Sequence, residues 1–182
     1  AAADNDNVKF HRFAFHHVSS SVPCRVVGNT VQYGVFFFNP SGKITEMEKR
    51  RKLVHVTTMP IRWGDMDAYG HVNNTVYFRY MEQARVEWIE AMLVPVRPGG
   101  EGPVIINAGC SFLIPLNYPG TVEVRTFASH PGRSSFLTHV EMRLVGDERI
   151  HAEGAAKVVW MDTRTGKSVP LPDHVRAEAE GE

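Results

Sequence analysis

Cysteine is scarce: the 182 residues hold two, Cys24 and Cys110. Two do not make a disulfide framework, and no metal-ligand spacing joins them, which favours a reducing compartment. Net charge is missing as well. Twenty basic and twenty acidic residues cancel, which excludes the broad field that nucleic acid or an anionic membrane would call for. No apolar run is long enough to span a bilayer. Val35-Phe36-Phe37-Phe38 is short and lacks the layout of a signal peptide. The expectation is a cytoplasmic protein with no membrane span and no nucleic-acid partner. There is no Gly-x-Ser-x-Gly elbow, so a serine nucleophile of that type is excluded. Internal repeats and low-complexity runs are absent too.

What is present is a globular composition, 43% apolar, at a length that suits one sizeable domain. Residues 1–50 differ from the rest. They are rich in Asn, Ser, His and Phe and show no sustained periodicity. The first methionine is Met47. One reading makes Met47 the start and residues 1–50 an extension of non-native origin. The other makes them a real arm, with Val31 to Phe38 as an extra edge strand. The first is preferred, and residues 51–182 are taken as the functional domain.

Leu53 to Trp63 reads as a strand, with Val54, Val56 and Thr58 on one face and His55, Thr57 and Met59 on the other. Pro60 places it at an edge or a bulge. Thr75 to Leu93 reads as a helix. Tyr77, Tyr80, Met81, Ala84, Trp88, Ala91 and Met92 recur at three- and four-residue steps and form its buried stripe. Four strand-like runs follow: Val104 to Ile114, Thr121 to Ala128, Phe136 to Val145 and Arg149 to Met161. In the first, Val104, Ile106, Ala108, Cys110, Phe112 and Ile114 share a side. Turn signals separate the runs, and the polar tail from Pro170 ends in a short helical turn. Strand, helix, then a meander predicts an α+β domain, a curved antiparallel sheet wrapped around one long helix.

The chemistry concentrates in Asp65-Met66-Asp67-Ala68-Tyr69-Gly70-His71-Val72-Asn73-Asn74, which runs straight into the helix. A helix start leaves backbone N–H groups unpartnered and partially positive. A carboxylate beside such donors is minimal equipment for attack on a carbonyl and for holding the oxyanion. An ordinary carboxylate, with a pKa of about 4, is already ionised at neutral pH. Asp and Asn before a helix are also ordinary turn and cap residues.

Arg62-Trp63-Gly64-Asp65-Met66-Asp67, Gly70-His71-Val72-Asn73-Asn74, then Tyr77, Tyr80, Glu82 and Ala84-Arg85 together resemble the hotdog-fold acyl-CoA thioesterases of the 4-hydroxybenzoyl-CoA thioesterase type. The resemblance implies a hotdog fold and hydrolysis of an acyl-CoA to free acid and coenzyme A. Asp67 matches the catalytic carboxylate, as general base or nucleophile. Asn74 matches the position whose backbone N–H polarises the thioester carbonyl. His71 joins them as a group that orients water or substrate, or as a turn residue. Gly70 and Asn73 fall with the substrate-binding positions, and Asn73 also suits a helix cap. Asp65 reads as a structural partner of turn amides. Arg133, Ser134 and Ser135 match the region that meets the nucleotide phosphates. The family pattern is more basic there, and Gly132 and Ser134 stand where further positive charges would be. Glu82, on the helix, is the competing acid, and its flanking arginines suit a surface salt bridge. Tyr77 and Tyr80 read as core or interface aromatics.

The resemblance further implies a homodimer or homotetramer with sites built from both chains. It implies no metal and no cofactor, coenzyme A being part of the substrate. Two rivals accompany this reading. One is another hotdog enzyme, a dehydratase or an acyl-carrier-protein thioesterase. The other is a hotdog module that binds acyl-CoA without turnover.

Overall fold

A computed structural model describes residues 26–27, 30–31, 51–92, 94 and 99–180. The chain divides into two units, residues 1–31 and 32–182. In the first, β1 (Val26–Val27) pairs with β2 (Thr30–Val31) antiparallel. The strand expected over Val31–Phe38 lies, beyond Val31, outside the described residues, as does Met47.

The second unit holds β3 (Lys52–Pro60), a 3-10 turn (Trp63–Asp65), α1 (Asn74–Ala91), β4 (Glu101–Phe112), β5 (Thr121–Ser129), β6 (Ser135–Leu144), β7 (Ala152–Asp162), β8 (Lys167–Ser168) and α2 (Asp173–Ala179). The sheet is antiparallel in the order β3-β5-β6-β7-β4, with β8 paired to the end of β7. Consecutive β5, β6 and β7 are a meander, as the hairpin-like spacing predicts. β4 crosses over to the far edge beside β7. Among the described residues no helix is long and apolar enough to cross a membrane.

α1 forms where the stripe predicts. Tyr77, Tyr80, Met81, Ala84 and Trp88 are buried, joined by Ile89, while Ala91 is exposed. Leu93 lies outside the described residues. The first half of the helix packs with Val122, Val124, Met142 and Ala152 of the sheet. The second half packs with Phe136, Val158 and Trp160. Burial of each large side chain contributes about 1.5–3 kcal/mol. Ala84, fully buried in the first cluster, lets the helix approach the sheet closely. The tail expected to be polar hides an apolar row at four-residue steps: Leu171, Val175 and Ala179 are buried against the second cluster, which is why α2 docks.

Two facings differ from expectation, for one reason. The β3–β5 register shifts between Leu53 and His55. Val54 therefore packs inward together with His55, Thr57 and Met59, while Val56 turns out and is 46% exposed. The β4–β7 register shifts between Ile105 and Asn107, so Ile105 packs inward and Ile106 is 56% exposed. A bulge inserts one residue and reverses the alternation beyond it. β3 is an edge strand, as Pro60 predicts, and Pro60 closes it.

A polar clamp ties α1 to β3. His55 Nε2 lies 3.4 Å from Glu87 Oε2, and Gln83 Nε2 donates to Glu87 Oε1 at 2.9 Å. Hydrogen bonds from Thr57 and Gln83, with His55 beside them, hold the Glu87 carboxyl below its ordinary range. A depressed carboxylate adds stability that is complete above its unfolded-state pKa of about 4.3 and is lost as pH falls through the folded value. Wild type is therefore expected to lose melting temperature more steeply below about pH 4.5 than Glu87→Gln. Parallel acid limbs in thermal melts of the two proteins would remove this clamp from the account.

Candidate active site

The loop between β3 and α1 is folded by its own sequence. Asp67 N donates to His71 O at 2.8 Å and Gly70 N donates to Asp67 O at 3.1 Å. Met66 and Val72 bridge across it. Gly70 sits at φ +77°, the left-handed region that a Cβ disfavours, and closes the turn. Asp67 Oδ1 accepts from Tyr69 N at 2.8 Å and from His71 N at 3.3 Å. One carboxylate oxygen thus organises the turn.

Longer-range bonds fix the loop to the domain. Val72 N donates to Leu116 O at 2.9 Å, and Asn117 Nδ2 donates to Gly70 O at 2.7 Å. Asp65 is the second anchor. Its Oδ2 accepts from Arg62 N at 2.8 Å and from the Tyr80 hydroxyl at 2.9 Å, and its carbonyl accepts from Asn73 N at 2.8 Å. Burial, reinforced by the Asp65 carboxylate, pushes the Tyr80 phenol well above its ordinary range. Tyr80 therefore stays the donor to Asp65, which is the structural partner expected.

The helix start is capped on one side and open on the other. Asn73 Oδ1 accepts from Thr75 N at 3.0 Å and from Thr75 Oγ1 at 2.8 Å, and Val76 N donates to Asn73 O at 2.9 Å. The Asn74 N–H has no acceptor among the described residues. Asp67, His71, Asn74 and Tyr77 line one cavity of about 360 Å³, walled by Val72, Phe112, Leu113, Ile114 and Pro115. Phe112 meets the Tyr77 ring edge-on, with centroids 4.9 Å apart. The Tyr77 hydroxyl accepts from Leu116 N at 3.1 Å. Burial raises the Tyr77 phenol, and the Asp67 charge adds to that. Cys110, half-buried against the same cluster, has its thiol pushed up to about 12 by burial.

Asp67, Asn74 and His71 are therefore brought together at one cavity. Gly70 and Asn73 shape its loop, but neither lines it: the Gly70 carbonyl is tied to Asn117, and the Asn73 side chain is spent on the cap. Arg133, Ser134 and Ser135 are not brought to it. They sit at the β5–β6 turn, where Gly132 N donates to Ser135 O at 2.7 Å, and Arg133 O is held by Leu171 N and Arg176. The loop meets the opposite end of β5, where Ile61 N donates to Gly120 O. Nine residues of strand, roughly 30 Å, separate the two within one protomer. Glu82 is exposed and pairs with Arg79 at 3.7 Å, the surface salt bridge expected. Among the described residues no three His, Cys, Asp or Glu side chains gather as a metal site.

Reading residues one by one misses Asn117 and the Phe112–Pro115 wall. Asn117 lies 47 residues from Gly70, and only a turn signal marks it. Phe112 to Ile114 read as the end of a strand, and Pro115 falls just beyond it.

One long helix wrapped by an antiparallel sheet, with an acid loop at the helix start, defines a hotdog domain. The Thioesterase-like superfamily matches residues 61–178, and the chain belongs to that family. It is similar to the PA2801 protein of Pseudomonas aeruginosa, at 40% identity and a TM-score of 0.67 over 69% of this chain and 98% of that one. It is similar to the BH1999 gentisyl-coenzyme A thioesterase, at 27% identity and a TM-score of 0.60 over 68% and 98%. The chloroplastic acyl-acyl carrier protein thioesterase ATL3 of Arabidopsis thaliana is 28% identical over 129 residues, 68% of this chain and 66% of that protein.

Proposed function

We propose that the protein hydrolyses acyl-CoA thioesters, with Asp67 as general base and the Asn74 N–H as oxyanion donor. The observation that carries this reading is the pairing of a half-buried carboxylate with an unpaired helix-start amide at one cavity. Water bonds to the thioester carbon as Asp67 takes its proton, and the carbonyl electron pair moves onto the oxygen facing Asn74. The carbonyl then re-forms, the C–S bond breaks, and Asp67 returns the proton to the departing thiolate. His71 borders the same cavity and orients the incoming group.

Binding of the coenzyme A phosphates is assigned to Arg133, Ser134 and Ser135 of a partner subunit, because one protomer holds them far from its own Asp67. The protein would then act as a homodimer or a homotetramer. β4 supports this: it is an unpaired edge with Ile106 exposed, and open edges invite a second chain. The plant relative favours a second reading, hydrolysis of acyl groups carried by a protein rather than by coenzyme A. A panel of aliphatic and aromatic acyl-CoAs beside acyl-carrier-protein thioesters, read by release of free thiol, separates the two. Turnover of at least one acyl-CoA is expected. Turnover of carrier-protein esters alone would install the second reading, and tight acyl-CoA binding without hydrolysis would replace both with a sensor.

A further inference from the structure

An oxyanion is held best by more than one donor, and the first turn of α1 offers a single free amide. Thr75 N is spent on Asn73 Oδ1 and Val76 N on Asn73 O. A side chain on the same helix face can supply a second donor. Tyr77 is three residues beyond Asn74, on the same helix face. Helical side chains lean back toward the N-terminus, which carries its ring over the turn that starts at Asn74. Both residues line the cavity with Asp67.

The state of the hydroxyl suits the role. Its oxygen accepts from Leu116 N at 3.1 Å, and its proton has no acceptor among the described residues. A phenol that already accepts a hydrogen bond is polarised into a stronger donor. Tyr77 is 3% exposed, so a bond from it is worth more than one from a solvated group. The ring is held edge-on by Phe112 and the oxygen by Leu116, so the donor needs little reorganisation. His71 is exposed, and its backbone N–H is taken by Asp67.

We propose that the Tyr77 hydroxyl is the second oxyanion donor, acting with the Asn74 N–H on the thioester oxygen. The inference rests on the hydrolytic reading above. No proton leaves Tyr77: its O–H bond stays intact while the hydrogen bond shortens as charge grows on the oxygen.

Tyr77→Phe keeps the ring and its contact with Phe112. It is expected to lower kcat by about 10²-fold, with KM changed less than about threefold. That variant also strips Leu116 N of its acceptor, so a second measurement is needed. Fluorinated tyrosines installed at position 77 keep the hydroxyl and make it progressively more acidic. At a pH where every member is protonated, kcat is expected to rise along the series as the donor strengthens. A flat series overturns the proposal whatever Tyr77→Phe does, because a hydroxyl that only anchors Leu116 would not transmit phenol acidity to the rate. If the series is flat while turnover still depends on Asp67, this inference alone falls. If wild type hydrolyses no thioester, the proposed function falls with it.

Discussion

Asp67→Asn is expected to cut thioester turnover by about 10³-fold while leaving KM within a few-fold of wild type. Asparagine has the shape of aspartate, and its own Oδ1 can accept from Tyr69 N and His71 N as the carboxylate does. The turn should therefore survive, with the Met66–Val72 bridge and the Asn117 bond to Gly70 intact. What disappears is the charge and the ability to accept a proton at the cavity that Asp67 lines. Steady-state kinetics, with a thermal melt to confirm the fold, make the check. Near-normal turnover in Asp67→Asn would move the base elsewhere. Glu82 would be a poor replacement in the same chain, since it is exposed, paired with Arg79 and outside the cavity lining.

Trp88→Ala is the largest expected loss of stability, about 3–5 kcal/mol. Trp88 is 2% exposed and packs edge-on against Phe136, with centroids 5.7 Å apart. It joins α1 to β6, β7 and α2 through the second core cluster. Alanine would leave a void against Phe136, inside the cluster that also holds Trp160 and Val175. The indole also carries a cost, because its buried Nε1–H has no hydrogen-bond partner. Trp88→Phe removes that unpaired donor, which returns about 1–3 kcal/mol against the lost apolar contact. Its net cost is therefore expected to stay below about 2 kcal/mol. Urea unfolding of the two variants tests the pair. Equal losses would show that a phenyl ring does not refill the site of the indole against Phe136.

Legibility in the sequence tracks how local each cause is. The α1 stripe, the loop turn and the cap arise from residues within a few positions of one another, so Tyr77, Tyr80, Met81, Ala84 and Trp88 read correctly as the buried face. β5 to β7 alternate without interruption and were equally plain. The outward turns of Val56 and Ile106 were not, because a bulge is settled by register against β5 or β7 rather than by the strand's own composition. α2 was only half legible: Leu171, Val175 and Ala179 are too few to stand out in a polar tail. At the site, the convergence of Asp67, His71 and Asn74 follows from one short segment. The lock from Asn117 and the wall from Phe112 to Pro115 depend on where β4 ends in space. The separation of Arg133 from Asp67 becomes visible only when β5 is seen to run between them.

Cys110 gives the domain a built-in gauge. A thiol held near 12 carries almost no thiolate at neutral pH, and thiolate is the form that alkylating and disulfide reagents attack. While β4 stays packed against α1, labelling at this position will be slow. Any excursion that lifts the strand returns the sulfur to water and to ordinary acidity. The labelling rate of Cys110 under native conditions therefore reports how often that edge opens.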